Sequence, residues 1–350
     1  MRFTFLALPA LAVAAALTLV GCATSAGAGQ SGTDATAHSG LKVVATTTQV
    51  ADFARAVIGD APGVNLTQLI KPNQSAHSYD PSVADLAALG HADVLVINGV
   101  GLEEWLTDAI DASGFHGITV DSDEGIAIET SGAENDPGHA ADAAHGQADA
   151  AHADAAHDHT AGNPHIWTSV DNARVMVNTI AAGLEKADPA SAPAFTANAA
   201  AYDIRLAALD GWIRSNIDQV PAAERLLVSN HDAFGYFTAA YGITYVGSIM
   251  PSFDDNAEPS AAAIDALVAS IRKTGVKAVF SEASINPKTA DTIASEAHVA
   301  VYSGDDALYG DSLGPAGSDG ATYIASQLHN VRLILQSWGV TPSAVPADLK

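Results

Sequence analysis

From Leu41 onward, short runs of β-branched and aliphatic residues alternate with stretches of helical periodicity. That alternation restricts the chain to parallel βαβ units. Lys42 to Thr47 reads as a buried strand, and Val64 to Ile70, Asp93 to Asn98 and Gly117 to Val120 read as three more. Helical patterns at Val50 to Ile58 and Pro81 to Leu89 lie between them. After a break, Val170 to Lys186 reads as a helix starting near Ser169, and Pro189 and Pro193 interrupt it. Ala194 to Ile217 then reads as one helix of about 36 Å, long enough to cross a domain.

A second alternating half follows. Its expected strands are Arg225 to Val228, Thr244 to Gly247, Ala278 to Phe280 and Val299 to Tyr302. Its expected helices are Ser260 to Thr274, Lys288 to Ala297 and Ala321 to Trp338. The halves share a rhythm but no repeat of letters. The expected fold is α/β, with two Rossmann-like lobes of parallel sheet joined by a single long linking helix and a cleft between them. The boundaries this implies are an N-terminal lobe at 41–190, the linking helix at 191–219 and a C-terminal lobe at 220–350.

The segment before Leu41 is of another kind. Arg2 precedes an apolar run from Phe5 to Val20, broken only by Pro9 and Thr18, and the run ends in Gly21-Cys22. A basic start, a short apolar stretch and a small-residue cut site describe a secretory signal at 1–21 rather than a spanning helix. Cys22 is the only cysteine, so an internal disulfide is impossible. Its place directly after Leu-x-Gly resembles the lipobox of bacterial lipoproteins, in which the thiol is acylated. The Ala-, Ser-, Gly- and Thr-rich stretch at 22–40 then reads as a lipidated flexible tether.

The formal charge of -25, from 40 acids against 15 bases, excludes a nucleic-acid surface, which needs clustered Lys and Arg. An acidic surface suits an exported protein and raises the local cation concentration.

The chemistry lies in the thirteen histidines. His139, His145, His152, His157 and His159 fall in segment 132–163, interleaved with Asp136, Asp142, Asp149, Asp154 and Asp158. That segment has almost no large apolar side chain, so it is expected to be disordered. It is expected to capture metal weakly, because a floppy loop cannot hold a fixed geometry cheaply. A tight site needs ligands on rigid elements. Three histidines sit beside expected element ends, where α/β folds place binding groups. They are His77 in Ser75-Ala76-His77-Ser78-Tyr79-Asp80-Pro81, His165 in Asn163-Pro164-His165-Ile166-Trp167, and His231 in Ser229-Asn230-His231-Asp232-Ala233-Phe234.

These three motifs, with Glu258-Pro259-Ser260 and the run Asp311-Ser312-Leu313-Gly314 through Thr322-Tyr323-Ile324, resemble the zinc- and manganese-specific solute-binding lipoproteins of ABC importers. The matched blocks keep their order over nearly all of residues 41–339. The resemblance implies that His77, His165, His231 and Asp311 are the ligands of a metal held in the interlobe cleft. It implies a membrane permease as partner, a lipid anchor at Cys22 on the extracytoplasmic face of the cell membrane, and a protein acting as a monomer. Asp80 stands where the family has Glu, at a position that is not a ligand. Gly310 stands where Ser is common. Asp305 and Asp306 are rival carboxylates, and the letters around Asp311 favour it.

Three imidazoles and one carboxylate suit tetrahedral Zn2+. Mn2+ prefers harder oxygen ligands, and the family's manganese members commonly carry a carboxylate at the position of His231. The expectation is zinc, with manganese as the alternative and a surface adhesin or zinc-storage lipoprotein as a further one. A zinc hydrolase is disfavoured, because four protein ligands close the site and no His-Glu-x-x-His or Gly-x-Ser-x-Gly motif occurs. Trp105, Trp212 and Trp338 read as packing residues, and Trp167 as a support for the His165 turn. Glu282 is left open between an ion pair with Lys288 and a place in the cleft. His38, His91, His116, His298 and His329 read as non-ligands.

Overall fold

A computed structural model describes residues 40–129, 162–255 and 257–350. The signal segment, Cys22, residues 22–39 and the five loop histidines lie outside the described residues. The described residues form one compact unit. No helix among the described residues is long and apolar enough to cross a membrane.

Four strands build the first half: β1 (Lys42–Ala45), β2 (Asn65–Gln68), β3 (Val94–Ile97) and β4 (Ile118–Asp121). They form one parallel sheet in the order β2-β1-β3-β4. Residues 43–45 of β1 and 94–96 of β3 are runs of buried aliphatic residues, as expected where helices cover both faces. The outer strand β2 alternates exposed and half-buried residues. Helix α1 (Thr48–Ile58) leaves the carboxyl end of β1, with the Thr47 hydroxyl accepting from the Val50 amide as N-cap. A capping box of Ser82 and Asp85 opens α2 (Val83–Gly90), and α3 (Leu106–Ser113) follows β3.

Helix α4 (Val170–Ala187) is capped by Ser169 and packs against α5 (Ala192–Ile217). In α5 the buried residues Phe195, Ala199, Tyr202, Leu206, Leu209, Ile213 and Asn216 recur at alternating spacings of four and three. That spacing gives one continuous apolar seam.

The second half contains β5 (Leu226–His231), α6 (Gly235–Tyr241), β6 (Thr244–Met250), α7 (Ala261–Thr274), β7 (Ala278–Phe280), α8 (Lys288–Ala297), β8 (Ala300–Tyr302) and α9 (Tyr323–Ser337). Parallel pairs form between β5 and β6 and between β7 and β8, and β7 lies beside β5. A bulge at Val246 shifts the register of β6, so Leu227 pairs with Tyr245 and Val228 with Gly247. Helix α5 touches α1 and α4 of the first half and α6 and α9 of the second. One apolar core runs through both halves, from Val43 and Phe53 by way of Leu206 and Leu209 to Leu227 and Phe280.

The expected alternation is present, and β6 runs three residues past Gly247 to Met250, with three further differences. Helix α5 starts at Ala192, so Pro193 lies in its first turn, where a missing amide hydrogen is harmless. Helices α3 and α6 were not anticipated. The first lacks a capping side chain at Trp105, and the second is seven residues rich in aromatics, a composition that mimics a strand. Strand β5 runs three residues past Val228, because Ser229, Asn230 and His231 are buried polar residues that the apolar pattern does not mark.

Leu206→Ala, in the shared core, is expected to cost about 2–5 kcal/mol of stability while leaving the helical content unchanged. Denaturant unfolding of the metal-free protein, followed by circular dichroism, measures it. No change in the midpoint would mean that α5 does not carry the shared core.

Candidate metal centre

Four side chains from four separate segments meet where the carboxyl ends of the strands face each other. His77 follows β2. His165 opens the 3-10 turn Ile166–Thr168 that leads into α4. His231 is the last residue of β5, and Asp311 lies between β8 and α9. One potential ligand atom from each lies within 4.8 Å of all the others. Asp311 Oδ1 is 3.2 Å from His165 Nε2, and Oδ2 is 3.1 Å from His231 Nε2 and 3.4 Å from His77 Nε2. The Nε2 atoms of His165 and His231 are 3.1 Å apart. Ligands about 2.0–2.1 Å from a tetrahedral zinc stand about 3.3 Å from one another, so these spacings fit an ion at the centre. His165, His231 and Asp311 are buried and His77 is half-buried.

Each donor is held by further bonds. Asn163 Oδ1 accepts from the His165 amide at 3.1 Å and lies 2.8 Å from Nδ1, which leaves Nε2 for the centre. The Asn98 side chain donates to the Pro164 carbonyl and ties this turn to the end of β3. Trp167 packs edge-on against the His165 ring, at 5.4 Å between centroids, and its indole donates to the Gly310 carbonyl at 3.1 Å. Gln49 donates to the same carbonyl at 3.0 Å, and Thr48 Oγ1 accepts from the Leu313 amide at 2.9 Å. The strand of chain that carries Asp311 is thereby pinned to the first turn of α1. The Ser75 hydroxyl accepts from the His77 amide and donates to Asp255 at 2.9 Å, and Trp105 donates to the Ala76 carbonyl. Glu282 Oε1 stands 2.7 Å from His231 Nδ1 and accepts from the His231 amide at 3.2 Å.

The donor set fits a cation. His77 Nε2 and both oxygens of Asp311 are buried without a hydrogen-bond partner among the described residues. A carboxylate buried in that way is costly, and an ion between the four groups removes the cost. Burial pushes His165 down to about 4, so its ring is neutral and ready to ligate. Burial also presses on His231, but Asp311 and Glu282 outweigh it and hold this imidazole well above the ordinary histidine range. For Asp311 burial alone would raise the pKa, and the His231 and His165 rings hold it well below the carboxylate range. A cleft of about 680 Å3, lined by His77, Glu104, Pro164, Asp232, Phe253 and Asp254, leads to the centre.

The structure brings together all four residues marked by the sequence. Asp305 and Asp306 are exposed in a separate 3-10 turn, and His91, His116, His298 and Asp80 are also exposed. His329 is buried and bonds the Ala307 carbonyl, away from the centre. Glu282 resolves toward the cleft, because it is buried against His231. Gln49, Asn163 and the Ser75–Asp255 pair were not marked as supports. Asn163 could have been found, because an Asn two residues before a buried His can bond that ring.

Comparison with known proteins gives the family of the chain. Residues 43–337 match the family described as "Zinc-uptake complex component A periplasmic". The manganese-binding lipoprotein MntA of Bacillus subtilis is 30% identical over 327 residues, covering 92% of this chain and 96% of that protein. The zinc-binding protein AdcA of Streptococcus pyogenes is 31% identical over 299 residues, covering 85% of this chain and 56% of that longer protein. The solved periplasmic zinc-binding protein TroA of Treponema pallidum superposes with a TM-score of 0.70 at 26% identity, over 85% of this chain and 98% of TroA. The fold and the comparisons define a substrate-binding protein of transport rather than an enzyme. The chain belongs to the family of extracytoplasmic metal-binding components of ABC importers.

An imidazole held above the ordinary histidine range keeps its proton at neutral pH and must lose it to ligate. Loading the centre is therefore expected to release a proton, and affinity is expected to fall about tenfold per pH unit for each proton displaced as pH drops from about 8 to 6. Calorimetric titration with zinc, in buffers of different ionisation enthalpy, measures both effects. A pH-independent affinity with no proton release would count against this picture of His231.

Proposed function

We propose that this chain captures Zn2+ outside the cell through His77, His165, His231 and Asp311 and delivers it to the membrane permease of an ABC importer. The observation that supports the reading best is the convergence of three imidazoles and one carboxylate within 4.8 Å. Zinc accepts a closed four-coordinate site of nitrogen and oxygen donors, whereas manganese prefers more oxygen. The relatives are named for both metals, so manganese is the second reading, and the donor set favours zinc.

In this reading Cys22 carries the lipid anchor and residues 22–40 give the protein reach from the membrane. The protein acts as a monomer, with lobes at 41–190 and 220–350 and the linking helix at 191–219. His139, His145, His152, His157 and His159 raise the zinc concentration near the cleft and pass the ion inward. The ion joins His77 and His165 of the first half to His231 and Asp311 of the second. Metal therefore biases the arrangement of the halves, which a permease can read.

The experiment is metal stoichiometry and competition on residues 41–350, with His231→Ala and a deletion of 133–162 alongside. One tightly bound zinc is expected, retained after the deletion, greatly weakened by His231→Ala and not displaced by excess manganese. Tight binding that vanishes with the deletion and ignores His231 would move the function to scavenging or storage. Displacement by manganese would favour the second reading.

A further inference from the structure

Glu282 is not one of the four donors, yet it is buried to 1% exposure beside them. It follows β7, and its backbone bridges to Leu308. Its ion-pair partner among the described residues is His231. One oxygen, Oε1, meets His231 twice, at 2.7 Å from Nδ1 and 3.2 Å from the amide. Two bonds to one residue fix the ring, so its Nε2 faces the centre, 3.1 Å from Asp311.

The other oxygen explains Gly310. Oε2 has no hydrogen-bond partner among the described residues. A Cβ on residue 310 would stand 2.0 Å from it and 2.9 Å from the carboxyl carbon. Gly310 is not among the glycines with positive φ, so its backbone does not require glycine. The space does. Residue 310 cannot retreat either, because Trp167 and Gln49 both hold its carbonyl. A side chain at 310 would therefore push the Glu282 carboxylate out of its present place against His231.

We propose that Glu282 is a positioning residue that sets the strength and the zinc preference of this centre, and that Gly310 is the space that admits it. The proposal rests on reading the four donors as a metal site. Two physical effects carry it. A divalent ion with Asp311 leaves one net positive charge in a buried place, and Glu282 brings the sum to zero. A carboxylate accepting from Nδ1–H also makes the opposite nitrogen a stronger donor. Stronger imidazole donation favours zinc, which lies far above manganese in affinity for such ligands.

The test uses the chain with Glu282→Gln, Glu282→Ala, Gly310→Ala, the Glu282→Ala/Gly310→Ala double variant and His231→Ala. Zinc and manganese affinities are read by chelator competition, and the Nδ1 proton of His231 is read by NMR in the zinc-loaded protein. Glu282→Gln is expected to weaken zinc about 10–100-fold and manganese less, and to move the Nδ1 proton upfield. Gly310→Ala is expected to act in the same direction and to add little once Glu282 is Ala. If Gly310→Ala fails to fold, Glu282→Gln alone decides. Zinc affinity within about twofold of the parent and an unmoved resonance in Glu282→Gln, with His231→Ala still abolishing tight binding, would overturn the role of Glu282 and leave the centre intact. Tight zinc binding that survives His231→Ala would overturn the centre itself, and this proposal with it.

Discussion

Asp311 has both carboxylate oxygens buried and without a hydrogen bond among the described residues, and three imidazole rings face it. Burial works against charge here, but Asp311 holds His231 well above the ordinary histidine range, with Glu282, and raises His77 as well. A divalent ion satisfies all four groups together. Much of the surrounding structure bears on this constraint, because a costly buried cluster persists only where its frame over-determines it.

The frame is a short stretch of chain from Gly310 to Leu313. It belongs in sequence to the second half, but its polar groups are held by the first. Gln49 and Trp167 take the Gly310 carbonyl, and Thr48 takes the Leu313 amide. Tyr323, just beyond, donates its amide to Asp52 and its hydroxyl to the Trp167 carbonyl. The first two turns of α1 thus carry Thr48, Gln49 and Asp52 as buried polar residues, which a helix built only for packing would not contain. Thr48 and Gln49 hold the segment that carries Asp311. Trp167 also packs edge-on against His165, so one side chain touches the supports of two donors.

The three histidines were legible because each sits in a polar motif beside an expected element end, and Asp311 because the ordered motifs resemble a known family. The alternating fold was legible because the covered strands, residues 43–45 of β1 and all of β3, are apolar and leave a plain signal. What was hidden was long-range. Nothing in the letters around Gln49 shows that it reaches Gly310, 261 residues away. Glu282 could not be assigned because its partner is 51 residues distant and its neighbour Lys288 offered a local alternative. The end of β5 was missed because buried Ser229, Asn230 and His231 look like a loop to any pattern based on apolarity. Functional positions are where local rules are expected to fail, and here they fail at a ligand.

The same bonds indicate where the centre can exchange its ion. His165, His231 and Asp311 are each fixed by side chains that are themselves buried, and α5 and the shared core resist any wide separation of the halves. His77 differs. It is half-buried, it lies on a segment between β2 and α2 without regular structure, and its main support, Ser75, bonds Asp255 across the cleft. The cleft reaches the centre on this side, and Glu104, Asp232 and Asp254 line it. Acidic walls raise the local concentration of a cation. The cleft therefore meets the centre at His77, the donor with the least buried support, and His165, His231 and Asp311 lie behind it.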